Sequence, residues 1–178
     1  DKAIMPFCLL DMSGEDFEKL MQFTAQKNSS MDERIDAYLN HPDCEIEFIF
    51  TVDIDDVHKS EDFFIRIIDH IDSVDNGRRQ KDPILFAVTK WDKIKNDYAN
   101  VDEFFSKEFP VIGNYIENNT ERDITIIDFS IGDLKNDSEY NYDSKDSKRI
   151  ANWMYEEYAG YSMDKVMRKS LLKRLFNS

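Results

Sequence analysis

The stretch Ile84-Leu85-Phe86-Ala87-Val88-Thr89-Lys90-Trp91-Asp92 decides the fold. Its first five residues form an uninterrupted apolar run, which is typical of a buried strand in a parallel sheet. The run stops at the sequence Thr-Lys-Trp-Asp, which predicts a loop at the carboxyl end of the strand. Because ligands of open α/β sheets bind at this end of the strands, residues 89–92 are the first candidates for a binding site.

Two further strand-like runs end in loops of the same kind. Residues 5–10 are apolar and lead into a D-x-x-G sequence at 11–14, and the β-branched run 123–129 leads into Ser130-Ile131-Gly132. The first loop alone has an ordinary interpretation as a turn, with Ser13 or Asp16 capping the next helix, and the second loop carries little signal by itself. The order of the loops, with predicted helices between the strands, makes the combination informative.

On these motifs the chain resembles the C-terminal two-thirds of a Ras-like GTPase domain of the TRAFAC class, from about residue 4 to about residue 135. It is similar to divergent bacterial GTPase-like domains in which the guanine-specificity motif has the sequence T-K-x-D. The resemblance implies that Asp92 accepts hydrogen bonds from N1–H and the exocyclic amine of guanine. The stem of Lys90 then lies across the base with its charge left in solvent, and Thr89 ties the loop to neighbouring backbone.

The same resemblance implies the other ligands, GTP or GDP with Mg²⁺. Asp11 would hold Mg²⁺, usually through water, and the backbone N–H of Gly14 would meet the γ-phosphate. The loop with Ser130 and Gly132 would donate a backbone N–H to guanine O6. Glu15 is the candidate catalytic residue, at a position where many family members carry a Gln that orients water. A carboxylate beside the phosphates disfavours fast hydrolysis unless its pKa is raised.

The phosphate-binding loop of this family is missing from the chain. No G-x-x-x-x-G-K-[ST] sequence occurs, nor any Gly-Lys dipeptide. In the family, the first strand and this loop would lie before Asp1, so we expect the missing N-terminal part of the same protein to complete the site. GTP hydrolysis is expected only if that loop is supplied upstream of residue 1. The alternative is a non-catalytic pseudo-GTPase that uses the fold for interaction or assembly.

The expected fold is a three-layer α/β domain. Its sheet is mostly parallel, with at least four strands and helices on both faces, like a P-loop GTPase without the first strand and Walker A loop. Strands are predicted at 4–11, 46–53, 83–89 and 123–129, and helices at 16–27, 31–40, 61–75 and, interrupted near Pro110, 102–116. Residues 1–135 would form the partial GTPase-like domain and 136–147 a polar loop. Residues 148–178 would form a helix that packs on the domain or leads to a further domain.

Four charged or turn-forming segments receive ordinary structural interpretations. Asn76-Gly77 predicts the end of a helix, with Gly77 as its C-cap. The basic segment 78–81 is interpreted as a solvated loop rather than a phosphate site. The acidic run 53–56 could bind a cation, but it is interpreted as solvated because acids at strand ends usually are. The basic end of the C-terminal helix complements the helix dipole, or marks a surface for a protein partner.

Composition limits the classes of partner. With 178 residues, 41% of them hydrophobic, the chain is large enough for one domain with a substantial core. A net charge of −14 disfavours nucleic acid and anionic membranes as partners. No apolar run approaches the roughly 20 residues of a membrane span. Cys8 and Cys44 are predicted to be free thiols, which fits a cytoplasmic protein.

Overall fold

A computed structural model of the chain describes residues 37–55, 57–136 and 139–159, and a parallel sheet lies at its centre. The sheet has the strand order β1 (Phe48–Asp53), β2 (Ile84–Thr89), β3 (Ile124–Asp128). Between β1 and β2 lie α1 (Val57–Ser73) and a 3-10 helix (Val74–Lys81). After β2 come a short 3-10 helix (Trp91–Lys93), α2 (Val101–Glu108) and α3 (Pro110–Asn118). An antiparallel hairpin of β4 (Gly132–Asn136) and β5 (Glu139–Tyr142) precedes α4 (Lys145–Ala159).

The middle strand, β2, is buried along its apolar length. Every residue from Ile84 to Val88 is at most 1% exposed. β2 pairs in parallel with both neighbours, and Phe86 lies opposite Phe50 of β1 and Ile126 of β3. Since successive side chains of a strand point to opposite faces, this one strand supplies the core on both sides of the sheet.

Helices cover both faces of the sheet, so the described residues form three layers. On one face, α1, α2 and α3 enclose a cluster of phenyl rings whose centroids lie 4.9–6.4 Å apart in neighbouring pairs: Phe50, Phe64, Phe86, Phe105 and Phe109. On the other face, Trp153 of α4 packs against Leu85, Ala87 and Ile127. Both connections between the parallel strands therefore run over one face, and the last helix returns over the other.

Two arginines are buried at the amino-terminal edge of the sheet. Arg79 is 2% exposed, and its guanidinium donates hydrogen bonds of 2.8–3.0 Å to the carbonyl oxygens of Leu39, His41 and Cys44. Arg122 is 4% exposed, and its Nη2 lies 2.6 Å from Oδ1 of Asp72. The prediction of a solvated loop at 78–81 is therefore wrong for Arg79, which fixes residues 39–44 beside the start of β2.

The α/β class and the parallel arrangement of the sheet are confirmed. The described sheet has three strands where at least four were predicted, and the predicted elements at 4–11 and 16–27 lie outside the described residues. Of the predicted helix 31–40, residues 37–39 are described and helical. The predicted helix 102–116 is two helices that meet at Pro110, because its ring cannot continue the preceding helix.

Three predicted boundaries are wrong. α1, predicted over 61–75, begins at Val57 and ends at Ser73, and the chain continues as a 3-10 helix through Gly77, which has φ +88° but does not cap the α-helix. The predicted polar loop 136–147 contains β5 and the first turn of α4, which starts at Lys145 rather than 148. Backbone pairing with β4 explains the difference, because it gives this polar stretch the hydrogen bonds of a hairpin.

Two expectations about composition can be compared with the described residues. Cys44 is a half-buried free thiol there, as predicted, whereas Cys8 lies outside them. None of the helices in the described ranges is both long enough and apolar enough to cross a membrane.

The start of α3 depends on a side chain from α1. Oε1 of Glu61 accepts hydrogen bonds from the backbone N–H groups of Val111, at 2.7 Å, and Ile112, at 3.2 Å. We predict that Glu61→Ala lowers the free energy of unfolding by about 1–2 kcal/mol, the usual cost of losing a helix cap. Urea denaturation measures this. Glu117→Ala, an exposed position on α3, is the control and is expected to stay within about 0.5 kcal/mol of wild type. Equal effects of the two substitutions would contradict the capping role.

Because Arg79 is buried, we expect its substitution to lower the free energy of unfolding more than Glu61→Ala does. Arg79→Ala leaves three carbonyl groups, one buried and two part-buried, without their donor and Asp82 without its ion-pair partner, so the free energy of unfolding should fall by about 3 kcal/mol. Lys81→Ala, in the same segment, removes only an exposed ion pair with Glu121 and should cost less than about 0.5 kcal/mol. If Arg79→Ala does not fold, Arg79→Lys provides the measurement, because lysine cannot reproduce the planar fork. A solvated Arg79 would make all three variants alike in thermal and urea denaturation.

Candidate functional site

The carboxyl ends of the three parallel strands bring the predicted base-recognition residues to one edge of the sheet. Thr89, at the end of β2, lies opposite Asp53, at the end of β1. On the other side, Val88 pairs with Asp128 of β3, two residues before Ser130. The loop 89–92 therefore runs between the turn after β1 and the loop after β3.

Backbone and side-chain hydrogen bonds fix this loop to both neighbouring strands. The hydroxyl of Thr89 donates to the carbonyl oxygen of Val52 at 3.0 Å, which confirms the predicted tie to neighbouring backbone. On the β3 side, the N–H of Trp91 donates to the carbonyl oxygen of Phe129 at 3.2 Å. The loop is thus held from two sides where β2 ends.

Lys90 has a strained backbone. Its φ of 59° and ψ of 27° are left-handed, and it is the only residue other than glycine with a positive φ among those described. This conformation costs a residue with a Cβ about 1–2 kcal/mol. It turns the chain sharply out of β2 into the short 3-10 helix that carries Asp92. Strain of this kind is concentrated at functional sites, which makes the loop a candidate for one.

The ammonium group of Lys90 is held by two carboxylates. Its Nζ lies 2.9 Å from both carboxylate oxygens of Asp53 and 2.6 Å from Oδ2 of Asp55. The N–H of Asp55 also donates to Oδ1 of Asp53 at 3.0 Å, which orients the two acids together. The Lys90 ammonium group is therefore ion-paired as well as partly exposed to solvent, and the acids Asp53 and Asp55, interpreted as solvated, are exposed but bound to Lys90.

These contacts shift the acid–base equilibria of the cluster. The hydrogen bond from Lys90 is the main cause that lowers the pKa of Asp53 below its ordinary value, and the N–H of Asp55 adds to it. The hydrogen bonds to Asp55 and then Asp53 raise the pKa of Lys90 above its ordinary value. Both shifts favour the charged forms of Asp53 and Lys90. Since the pKa of Asp53 is lowered on folding, its contribution to stability is present above its unfolded pKa and is lost as the pH falls through the folded value.

Asp92 has unused hydrogen-bonding capacity. Its side chain is half-buried, and the Oδ1 atom is buried with no hydrogen-bond partner among the described residues. A buried acceptor without a partner is costly, so each case requires an explanation. A ligand with a suitably placed N–H group would satisfy it.

The loop after β3 is attached to α4. The N–H of Ser130 donates to Oδ2 of Asp146 at 3.0 Å. Arg149 donates to the backbone carbonyl of Asp128 at 3.0 Å and to its carboxylate at 2.8 Å. Gly132 has φ +143°, a conformation that favours glycine. The N–H of Ser130 is therefore already bonded within the protein, and any contact from this loop to a ligand has to come from another group.

Three predicted site residues, Asp11, Gly14 and Glu15, lie outside the described residues. Across the described ranges, no group of three or more His, Cys, Asp and Glu side chains is arranged to hold a metal ion. A groove between α1 and α3, lined by both apolar and polar residues that include Ile68, Ile112 and Asn118, contains none of the predicted site residues.

The sequence patterns assigned no role at this site to four residues that bind its loops: Asp53, Asp55, Asp146 and Arg149. A signal for Asp53 was available, because acids that end one parallel strand lie beside the residues that end the next. No comparable signal pointed to Asp146 or Arg149, which reach the loop only through the packing of α4.

Comparison with known proteins adds no assignment, because no protein-family model, no curated protein and no solved structure matches the chain.

The free energies of unfolding of two variants at position 90 test the left-handed backbone conformation of Lys90. Lys90→Gly and Lys90→Ala remove the same ion pairs, but only glycine relieves the backbone strain. We predict that the glycine variant is the more stable of the two by about 1 kcal/mol in urea denaturation. Lys93→Gly and Lys93→Ala, in the adjacent 3-10 helix, are the control pair and should show the opposite order, since glycine is unfavourable in a helix. The same order in both pairs would contradict the strained conformation.

Proposed function

We propose that this chain contributes the base-recognition half of a guanine-nucleotide-binding domain. One observation carries the proposal: in the Thr-Lys-x-Asp sequence at the end of the central parallel strand, the buried Oδ1 of Asp92 has no hydrogen-bond partner among the described residues. Support also comes from the strained backbone of Lys90 and from the position of the loop at the carboxyl edge, where ligands of open α/β sheets bind.

The chemistry of Asp92 selects guanine over adenine. A carboxylate only accepts hydrogen bonds at neutral pH, and guanine offers two parallel donors, N1–H and the exocyclic amine. Adenine offers an acceptor at N1, which a carboxylate repels. The aliphatic stem of Lys90 is long enough to cover one face of a base, while the protein binds its ammonium group.

Phosphate binding requires groups that the chain does not supply. Much of the affinity in nucleotide sites of this kind comes from backbone N–H groups and a lysine around the β- and γ-phosphates. The G-x-x-x-x-G-K-[ST] sequence that provides them is absent from the 178 residues. We therefore propose weak binding by this chain alone. A switch or slow-hydrolase activity would need that loop from a longer protein, with Asp11 near Mg²⁺, Gly14 near the γ-phosphate and Glu15 near the attacking water.

A second candidate function is a non-catalytic interaction or assembly domain of the same fold. The observation that favours it is the internal use of a group in the loop that would contact guanine: the N–H of Ser130 donates to Asp146.

Exchange of the acceptor at position 92 tests the proposal. Asp92→Asn replaces one acceptor with a donor, which matches the carbonyl oxygen that xanthine carries in place of the guanine amine. Wild-type protein should bind GTP in preference to ATP. Asp92→Asn should weaken GTP binding about tenfold or more and favour XTP instead. Ligand-observed NMR titration measures these affinities, because it detects weak binding.

The control is Asp97→Asn, which makes the same change of charge at an exposed position in the same loop region. It should leave the preference for GTP unaltered. Equal affinity for GTP and ATP, no binding of either nucleotide, or an Asp92→Asn variant that behaves as wild type would reject guanine recognition. The interaction-domain alternative would then stand.

A further inference from the structure

We propose that Asp53 and Asp55 are positioning residues for base recognition: they clamp the tip of Lys90 so that its aliphatic stem forms a preset wall for the guanine base. The inference rests on the proposed function and names residues that the T-K-x-D motif does not include. It assigns to Lys90 an apolar role in which its charge binds protein rather than ligand.

The number of N–H donors on the ammonium group supports a role in which this group binds the two acids and the aliphatic stem faces the ligand. A lysine has three N–H donors, and three carboxylate oxygens lie 2.6–2.9 Å from Nζ, two on Asp53 and one on Asp55. The contacts thus match the full donor capacity of the group. What Lys90 still offers a ligand is its chain of methylene groups.

Both ends of the Lys90 side chain are fixed by the fold. At the backbone end, the left-handed conformation is held by the loop, in which the N–H of Lys93 donates to the carbonyl oxygen of Lys90 at 3.0 Å. At the tip, Asp53 is in register with Thr89, so the parallel ladder itself sets the distance between the clamp and the lysine. The N–H of Asp55 fixes the second acid by its bond to Asp53.

Preorganisation is the physical benefit of such a clamp. A free lysine stem loses rotamer freedom when a ligand immobilises it, and this loss subtracts from affinity. Here the loss occurs on folding, before any ligand arrives. The clamp also leaves one net negative charge at this position, two carboxylates against one ammonium group. That charge disfavours phosphate beside β1, so this side of the edge suits the base end of a nucleotide.

The clamp contributes little to stability, which makes it testable. Lys90 and the two acids are 38–61% exposed, and ion pairs at exposed positions stabilise proteins only slightly. Variants at Asp53 and Asp55 should therefore fold normally. Any loss of nucleotide affinity in these variants then reports on the position of Lys90 and not on unfolding.

The experiment is a double-mutant cycle on GTP affinity, measured by ligand-observed NMR on the 178-residue chain. Asp53→Asn and the double variant with Asp55→Asn should weaken GTP binding about 2- to 10-fold, the cost of ordering one flexible side chain. Lys90→Met keeps an unbranched apolar stem without a charge, so Asp53→Asn should cause no additional loss in its presence. Glu121→Gln, which breaks the exposed pair with Lys81 at the other edge of the sheet, is the matched control.

The outcomes separate this inference from the proposed function. If wild type prefers GTP to ATP but the Asp53 and Asp55 variants bind GTP as tightly as wild type, the clamp is rejected and guanine recognition stands. An equal loss from Asp53→Asn with and without Lys90→Met also rejects the clamp, because the effect would not act through Lys90. If wild type shows no preference for GTP, the proposed function fails and the clamp fails with it.

Discussion

The burial of β2 on both faces is the constraint on which the rest of this structure depends. A strand that is at most 1% exposed from Ile84 to Val88 needs a partner strand on each side and a helical layer on each face. β1 and β3 satisfy the first requirement, and α1–α3 and α4 satisfy the second. Because all three strands are parallel, their carboxyl ends meet at one edge. The strand that is most completely buried therefore also decides which loops become neighbours.

The two edges of the sheet differ in character. At the amino-terminal edge, Arg79 and Arg122 are buried and donate to backbone carbonyls and to Asp72, which holds the connecting segments in place. At the carboxyl edge, charged groups remain partly exposed, Lys90 has a strained backbone, and Asp92 keeps an unpartnered acceptor. Among the described residues, each edge keeps one buried polar atom without a partner, Nε of Arg122 at the first and Oδ1 of Asp92 at the second. What distinguishes the carboxyl edge is the exposure of its charged groups and the strained backbone of Lys90.

Local patterns predicted the elements that carry their own apolar periodicity. β2 stands out because five consecutive residues are apolar, and α1 because Phe64, Ile67, Ile68 and Ile71 recur at helical spacing. The tie from Thr89 to the backbone of β1 followed from the motif and from the parallel sheet. These features depend on residues close together in sequence or on adjacent strand ends.

The features that were missed depend on distant contacts or on weak patterns. Arg79 is buried because it bonds to residues 35–40 positions earlier in the chain, which no local window shows. The hairpin of β4 and β5 lies in a polar segment, and its one signal was the alternation of Tyr140 and Tyr142. The pairing of Lys90 with Asp53 and Asp55 required the register of two strands 35–37 residues apart.

The central claim is that the carboxyl edge of this sheet accepts a guanine base. The most direct measurement is a backbone ¹H–¹⁵N NMR titration of the chain with guanosine, which carries the base without phosphates, beside an equal titration with adenosine. The account predicts that guanosine shifts the amide signals of residues 89–93 and 130–132, and that adenosine leaves them unchanged. Equal responses to the two nucleosides, no response, or shifts confined to the groove between α1 and α3 would contradict it.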